Sequence, residues 1–334
     1  MAVVGASAGG VEALCAFVRG LPADLEPAVL TVLHLAPYGT SVLPKILARN
    51  TGLPVLRAEE GQPLLAGHVY VATPDRHLMV RDRHVHLSRA PRENGHRPAI
   101  DPALRSAVEG YGAATAGVLL TGTGDDGAAG LLAVHRAGGA TAVQDPDEAL
   151  YDGMPRAALR HVAVDAVLPV AEVGAWIAQL QAVPVTVPGS AMPPDAPRHH
   201  SSSPVVDALP PGRDPASAVP DASGAATRFT CPDCGGVLFA GEEPGLLTFN
   251  CSIGHKYSPD SLVAANRDGV EAALWRAVRT LEDRIVLLSR MADRARAAGL
   301  DRSARSMESQ GRDLLARAAT IRDAITAMPG AEAS

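Results

Sequence analysis

The chain has 334 residues, of which 47% are hydrophobic and 20% charged, enough for a packed core and about two domains. The formal net charge of −6 argues against a nucleic-acid binder, because such proteins neutralise phosphates with a basic surface. No apolar run is long enough to span a membrane, and four cysteines are too few for a disulfide framework, so we expect a cytoplasmic protein without membrane insertion.

Residues 2 to 180 alternate short aliphatic runs with helical stretches, which is typical of a parallel sheet covered by helices. Strands are predicted at Val3–Val4, Ala28–Leu33, Val55–Leu56, Val69–Ala72, Gly117–Leu120, Ala140–Val143 and Ala163–Val167. Helices are predicted at Val11–Val18, Ser41–Arg49, Pro102–Glu109, Ala128–Arg136 and Ala171–Gln181, and an antiparallel hairpin at His77–Val80 and His84–Leu87. Residues 1–182 should therefore form an α/β domain with a doubly wound, mostly parallel sheet. Within it, we expect Cys15 to be a core residue rather than a reactive thiol.

Residues 183–227 form a predicted linker, because they contain ten of the 27 prolines and show no apolar periodicity. We expect this linker to separate two independent units.

Residues 263–330 are predicted to form a helical hairpin, with Gly299 as the C-cap of its first helix and Asp301 as the N-cap of its second. Its apolar residues step by alternating four and three. They are Leu274, Val278, Leu281, Ile285, Leu288, Ala292 and Ala295, followed by Ala304, Met307, Gly311, Leu314, Ala318, Ile321, Ile325 and Met328. This stripe is either the hairpin's own core or a coiled coil with a second copy or another partner.

A block of cysteines between the linker and the hairpin predicts a metal site. Cys231 and Cys234 are separated by two residues, Cys251 follows after sixteen, and His255 after three more. Three cysteines and one histidine at this spacing are the ligands of a structural zinc site, which leaves no position open for catalysis. We therefore predict that residues 228–262 form a small zinc ribbon.

A serine occupies the turn between the first predicted strand and helix, in the sequence Gly5 to Gly10. The Gly-x-Ser-x-Gly spacing matches a nucleophile elbow, in which small neighbours allow a sharp turn. Two other interpretations of Ser7 remain open at this point, a site that binds an anion at the helix start and a tight turn without function. A dinucleotide fingerprint is disfavoured because Ser7 stands where its second glycine should be.

Two further residues complete a candidate catalytic triad. His34 ends the second predicted strand, and Asp126 follows the strand at Gly117–Leu120. Because the carboxyl ends of parallel strands meet at one edge of a sheet, both side chains should face Ser7. Taken alone, His34 is more typical of a structural histidine, and Asp126 is equally typical of an aspartate in a helix N-cap or a turn.

Four segments together resemble the catalytic domain of CheB-type chemotaxis protein-glutamate methylesterases, over about residues 1 to 180. They are the Gly-Ala-Ser-x-Gly-Gly turn at 5 to 10, the histidine and proline at 34 to 37, Thr-Gly-x-Gly-x-Asp-Gly at 121 to 127, and Gly-Met-Pro at 153 to 155. The resemblance assigns the catalytic serine to Ser7, the histidine to His34 and the aspartate to Asp126. We expect Met154 to lie in the substrate pocket.

The resemblance implies hydrolysis of glutamyl methyl esters on the cytoplasmic helices of methyl-accepting chemotaxis receptors, with glutamine deamidation as a related activity. Catalysis would need no cofactor. We expect main-chain N–H groups of Ala8, Gly9 and Thr123 to stabilise the oxyanion. Family members often have a threonine at the position of Ala8 and a methionine at that of Thr123, and these differences affect pocket shape more than backbone donation.

Regulation and function are open in two respects. The family's usual architecture places a receiver domain before the esterase, whereas this sequence opens with the esterase, so we expect no receiver gating in cis. The main alternative function is a non-catalytic adaptor that binds partners through the esterase shell, the ribbon and the coil. A second alternative is an amidase acting on another protein.

Overall fold

The first 180 residues form a parallel α/β sheet. The protein is represented by a computed structural model that describes residues 1–35, 37, 41–180, 225–243 and 245–327. The strands of this part are β1 (Ala2–Ala6), β2 (Val29–Leu33), β3 (Val55–Arg57), β4 (Val69–Val71), β5 (His77–Arg81), β6 (His84–Ser88), β7 (Ala116–Leu119), β8 (Ala140–Gln144) and β9 (Ala166–Leu168). Seven of them pair in parallel in the order β3-β4-β2-β1-β7-β8-β9, and β5 and β6 form the separate antiparallel hairpin that we predicted.

Six helices cover the two faces of the sheet. They are α1 (Gly10–Arg19), α2 (Leu43–Ala48), α3 (Ile100–Tyr111), α4 (Ala128–Arg136), α5 (Gly153–His161) and α6 (Val170–Gln179). Alternate residues of β1 enter different cores, because successive side chains of a strand point to opposite faces. Val4 packs with α1, α2 and α6, and Val3 packs with α3, α4, α5 and the hairpin. The predicted α/β fold with a mostly parallel sheet is therefore confirmed.

Two elements differ from the prediction. Helix α5 was not predicted, because its glycine and proline resemble a turn, although a proline is compatible with the first turn of a helix. The strand predicted at Ala163–Val167 begins three residues later, at Ala166. Asp165, just before it, accepts hydrogen bonds from the main chain and hydroxyl of Thr141 and so fixes the connection from α5.

The cysteine block forms a second, antiparallel sheet of four strands. These are β10 (Ala225–Thr230), β11 (Val237–Glu243), β12 (Leu246–Cys251) and β13 (Lys256–Tyr257), paired in chain order. We call residues 225–257 the ribbon. Strand β10 begins inside the predicted linker, and residues 183–224 of that linker lie outside the described part of the chain.

The ribbon belongs to the same compact unit as the parallel sheet. The chain divides into Met1–Leu262 and Val263–Ser334, so the boundary follows the ribbon instead of preceding it. This differs from the expected pair of units separated by the linker. The physical reason is that β13 forms main-chain hydrogen bonds with a loop of the α/β domain, an interaction that composition does not reveal. The four-segment division of the chain stays a prediction.

A helical hairpin is built from α7 (Pro259–Ala297) and α8 (Asp301–Thr326), and all but the first four residues of α7 belong to the C-terminal unit. Helix α7 therefore begins four residues before the predicted start of the hairpin at 263. Gly299 has a φ of 72°, and the Leu300 N–H donates to the Ala295 carbonyl at 2.9 Å, as in a Schellman cap. Leu300, not Asp301, occupies the N-cap of α8.

The predicted stripe of the hairpin coincides with its least exposed positions. Buried members include Val278, Ala292, Ala295, Ala304, Leu314, Ala318 and Ile325, and the others that are described are partly buried. Met328 lies outside the described residues. The coiled coil with another chain stays a prediction. Within the described parts of the chain, none of the helices combines the length and the apolar character needed to cross a bilayer.

Candidate active site

Three loops at one edge of the parallel sheet bring the predicted triad together. Ser7 follows β1, His34 follows β2 and Asp126 lies between β7 and α4. Strand β1 lies between β2 and β7, so the carboxyl ends of three adjacent strands supply the three side chains. Gly127, with a φ of 95°, occupies the N-cap of α4, which leaves the Asp126 side chain free to face the histidine.

The side chains form one continuous hydrogen-bonded chain. The Ser7 Oγ lies 3.0 Å from Nδ1 of His34, and Nε2 of His34 lies 2.7 Å from Oδ2 of Asp126. Because the aspartate is ionised, Nε2 carries the proton of the neutral imidazole and donates it to Asp126. Nδ1 then has a free electron pair and accepts the Ser7 hydroxyl proton, which is the arrangement of a general base beside a nucleophile.

The turn that presents Ser7 depends on small residues. Gly9 has a φ of 69°, a backbone conformation that favours glycine, and the Gly10 N–H donates to the Ser7 carbonyl at 2.9 Å. Opposite the turn, a Cβ atom on Gly122 would lie 2.8 Å from Cβ of Ser7, closer than carbon atoms approach. The two glycine-rich segments recognised in the sequence therefore pack directly against each other.

Asp126 is held in its charged form. It is 2% exposed, and burial alone would raise its pKa. Hydrogen bonds from His34 and from main-chain N–H groups, including that of Ile100 at 2.6 Å, instead hold the pKa well below its ordinary value. Its other oxygen accepts from Nδ2 of Asn94 at 3.0 Å and from the Asp101 N–H at 3.3 Å.

Three residues around this aspartate were missed by the sequence analysis. Asn94 also donates to Oδ2 of Asp101 at 3.1 Å, so it bridges two buried acids. Burial and the charge of Asp126 raise the pKa of Asp101 well above its ordinary value. His96 stacks on His34 with ring centroids 3.7 Å apart. The only local signal is the clustering of Asn, His and Asp around the start of α3.

His96 is a neutral ring under ordinary conditions. Burial, assisted by the charge of His34, lowers the pKa of His96 to about 4. A neutral ring stacked on His34 limits the rotation of His34 and does not compete with it for the carboxylate of Asp126. We infer that the stack helps to keep His34 in the plane that joins Ser7 and Asp126.

An open cavity lies next to His34. Its lining includes Leu35, Pro37, His96, Arg92 and Arg97. Arg97 is paired with Asp75 at 2.6 Å, and Arg92 lies 3.5 Å from Asp233 of the ribbon. The cavity therefore combines apolar and basic side chains beside His34.

The predicted oxyanion donors and the predicted pocket residue occupy different surroundings. Within the described part of the chain, the main-chain N–H groups of Ala8, Gly9 and Thr123 donate to no protein acceptor. Met154, in the first turn of α5, is fully buried in the core, and its Sδ would lie 2.2 Å from a Cβ atom on Gly122. Met154 therefore packs beneath the site and does not line its open surface.

The four predicted metal ligands converge at one end of the ribbon. The ligand atoms of Cys231, Cys234, Cys251 and His255 all lie within 4.8 Å of one another, so this cluster could bind a metal ion. Cys234 Sγ and Cys251 Sγ are 3.7 Å apart, and His255 Nδ1 lies 3.5 Å from Cys251 Sγ. These are about the edges of a tetrahedron whose metal–sulfur bonds are about 2.3 Å, so the donor set fits zinc.

The remaining cysteine is a core residue of α1, as predicted. Cys15 is 8% exposed, and burial raises its pKa, which disfavours the reactive thiolate. Its sulfur accepts a long hydrogen bond of 3.6 Å from the Asn50 amide.

The sequence of the α/β domain matches the family model described as CheB methylesterase over residues 2–177. This match covers more than half of the 334 residues. The chain belongs to the CheB methylesterase family.

Similar proteins agree with this assignment. The chain is 44% identical over 171 residues to protein-glutamate methylesterase/protein-glutamine glutaminase 2 of Anaeromyxobacter dehalogenans, covering 51% of this chain and 50% of that protein. It is 41% identical over 171 residues to the protein-glutamate methylesterase/protein-glutamine glutaminase of Photorhabdus laumondii, covering 50% and 49%. The chain thus spans about half the length of these curated relatives.

A solved structure has the same fold as the α/β domain. The crystal structure of the Thermotoga maritima CheB methylesterase catalytic domain is 31% identical, with a TM-score of 0.52. The match covers 54% of this chain and 97% of that domain. The ribbon and the helical hairpin are therefore additions to a complete family domain.

Proposed function

We propose that the protein is a protein-glutamate methylesterase that hydrolyses glutamyl methyl esters through an acyl-enzyme. The observation that carries the proposal is the unbroken chain from Ser7 Oγ through His34 to the ionised carboxylate of Asp126, at 3.0 and 2.7 Å. Membership of the CheB methylesterase family and the names of the relatives support the choice of substrate. A non-catalytic adaptor would have no need to keep all three groups in register.

The first half of the reaction transfers the acyl group to serine. Ser7 Oγ attacks the ester carbonyl carbon while Nδ1 of His34 takes the hydroxyl proton. The negative charge of Asp126 stabilises the imidazolium that forms, and Asp126 itself stays ionised. Collapse of the tetrahedral intermediate breaks the bond to methoxide, which takes the proton from Nδ1 and leaves as methanol.

The second half reverses these roles with water. Water gives a proton to Nδ1 of His34 and attacks the acyl-serine, which releases the glutamate side chain and restores the Ser7 hydroxyl. In both halves we assign the oxyanion to the main-chain N–H groups of Ala8, Gly9 and Thr123. Among the described residues these donors have no protein acceptor, and main-chain donors of this kind stabilise transition states by a few kcal/mol.

Glutamine deamidation is a second activity of the same site. The relatives carry protein-glutamine glutaminase in their names, and an acyl-enzyme mechanism accepts an amide once the leaving nitrogen is protonated. The histidine that protonates methoxide can protonate this nitrogen, so that ammonia leaves instead of methanol. An amidase acting on a different protein would use the same steps.

The substrates that fit are the cytoplasmic helices of methyl-accepting chemotaxis receptors, and we propose a cytoplasmic location for that reason. Arg92 and Arg97 line the cavity, but each faces an acidic partner, Asp233 and Asp75, so the choice of substrate rests on the family and on the names of the relatives. We assign nucleic acid no role. The long hairpin of α7 and α8 could form a coiled coil with a partner or with a second copy of the chain. Its apolar stripe also forms the core between its own two helices.

We also propose that the ribbon holds a structural zinc ion. Four ligands at tetrahedral spacing leave no coordination position open, so the ion would stabilise a sheet whose own apolar core is small. Catalysis by Ser7 requires no metal.

The decisive experiment measures methanol release from methylated receptor fragments by the wild type and by Ser7→Ala. We expect release by the wild type and none above background by the variant, with ammonia release from glutamine-containing fragments following the same pattern. Equal release from both proteins would refute the serine mechanism. Folding of the variant is checked by its thermal unfolding.

A further inference from the structure

The ribbon is joined to a loop of the active site by main-chain hydrogen bonds. The Lys256 N–H donates to the Arg92 carbonyl at 3.2 Å, and the Asn94 N–H donates to the Lys256 carbonyl at 2.8 Å. Glu93 and Lys256 thus form a parallel bridge that adds residues 92–94 to the free edge of β13. Lys256 directly follows the metal ligand His255, so the loop is anchored beside the ligand cluster.

Asn94 carries this contact into the catalytic centre. Its side-chain oxygen accepts from the Ser258 N–H at 3.0 Å, on the ribbon side. Its side-chain nitrogen donates to Asp126 at 3.0 Å, on the catalytic side. Asn94 has a φ of 52°, an unusual backbone conformation that the bonds to Lys256 and Ser258 help to maintain.

A second contact reaches the residue next to the catalytic aspartate. The Ser261 hydroxyl donates to Oδ1 of Asp125 at 2.6 Å. Asp125 is 8% exposed and directly precedes Asp126. The segment that follows the ribbon therefore holds the catalytic loop from a second side.

We propose that the metal-binding ribbon is a positioning element of the active site, which keeps Asp126 and His34 aligned with Ser7 through Asn94. The inference rests on the proposed function in taking Ser7 as the nucleophile. The path from the ligand cluster to that nucleophile runs through Lys256, Asn94, Asp126 and His34, and each step is a direct contact. Loss of the metal should loosen β13, release residues 92–94 and allow Asp126 to move away from His34.

The experiment uses the full chain and two measurements that do not depend on the natural substrate. Hydrogen exchange reports the protection of residues 92–97. Labelling with a fluorophosphonate reports Ser7, because serine displaces fluoride from the probe while His34 takes the proton. Proteins compared are the zinc-loaded wild type, Cys234→Ser, Asn94→Ala, and Arg228→Ala as a control on an exposed ribbon position.

For Cys234→Ser we expect loss of zinc, faster exchange of residues 92–97 and labelling at least about tenfold slower, while the strands of the parallel sheet keep their protection. Asn94→Ala should retain zinc and show the same labelling defect. In both, the pH midpoint of labelling should fall, because an imidazolium without its carboxylate is less stable. A purely structural loss would reduce the labelled fraction without moving this midpoint. Arg228→Ala should match the wild type.

Unchanged exchange and labelling in zinc-free Cys234→Ser would overturn the proposal, as would wild-type labelling of Asn94→Ala. If Cys234→Ser does not fold, removing zinc from the wild type with a chelator and restoring it replaces that comparison, and the effects should then reverse. Failure of the proposed function gives a different result. Ser7 of the zinc-loaded wild type would resist the probe, while the exchange of residues 92–97 would still report the coupling.

Discussion

Replacing Asp126 by asparagine tests the charge at the centre of the site. Each oxygen of this carboxylate accepts two hydrogen bonds. Oδ2 faces Nε2 of His34 at 2.7 Å and the Ile100 N–H at 2.6 Å, and Oδ1 faces Asn94 at 3.0 Å and the Asp101 N–H at 3.3 Å. An amide has one oxygen and one NH2 group, so either orientation points a donor at two donors.

Both orientations of the amide impair catalysis. If NH2 faces His34, Nε2 must accept a hydrogen bond, so the proton moves to Nδ1, where it blocks transfer from Ser7. If NH2 faces Asn94, the imidazolium loses its negative partner. In serine proteases the corresponding change lowers kcat about 10⁴-fold, which is roughly 5 kcal/mol of transition-state stabilisation. We expect a similar loss of methanol release for Asp126→Asn.

Asp101→Asn is the matched control. Asp101 is also buried, but its carboxyl accepts from the Gly130 N–H at 2.6 Å and from Asn94 at 3.1 Å and is not the hydrogen-bond partner of His34. An amide at this position loses one of these two hydrogen bonds, which should cost less than about tenfold in rate. Comparing methanol release by the two variants, at matched thermal stability, tests whether catalysis needs the charge of Asp126. Retention of more than a tenth of wild-type activity by Asp126→Asn, or equal losses in both variants, would refute the assignment of the charge.

Three further predictions concern packing, pH and metal. Gly122→Ala should reduce methanol release at least about a hundredfold, because the new methyl group would lie 2.8 Å from Cβ of Ser7, whereas Gly52→Ala, which meets nothing within 4 Å, should be active. The pKa of His96 falls from 6.5 to about 4 on folding, so the unfolded state binds more protons and stability is lost as pH falls from about 6.5 to 4. His96→Phe should therefore recover up to about 2 kcal/mol at pH 5 relative to pH 7, as measured by urea unfolding, and an equal difference at both pH values would contradict this. Elemental analysis should find one zinc per wild-type chain and none in Cys251→Ser, and a zinc-free wild type that folds normally would disprove the structural ion.

The triad could be anticipated because each of its residues follows a buried strand. The runs before Ser7, His34 and Asp126 are apolar and β-branched, and a parallel sheet collects the carboxyl ends of adjacent strands at one edge. The sequence also contains the metal ligands in a recognisable spacing, since Cys231 and Cys234 lie in a short knuckle. In each case the information is local or follows from topology.

The role of Asn94 could not be anticipated in the same way. It lies in a loop without periodicity, and its partners are Asp126 and Ser258, which are 32 and 164 residues away in the chain. The contact with Ser258 depends on the docking of the ribbon against this loop. That docking uses main-chain groups of Lys256, which any residue other than proline could supply. No residue pattern can therefore predict it, and the expected separation of the two units followed from the linker's composition alone.

Three buried aspartates lie close together near His34, and their surroundings decide which of them has a lowered pKa. Asp101, Asp125 and Asp126 are all less than 9% exposed, and burial raises the pKa of a carboxyl group. Burial prevails at Asp101 and at Asp125, whose pKa values are raised. At Asp126 it is outweighed by His34 and the surrounding N–H groups, so this carboxyl alone has a lowered pKa. The negative charge of Asp126 beside the imidazole of His34 fixes a single tautomer, and the direction of proton transfer from Ser7 follows from it.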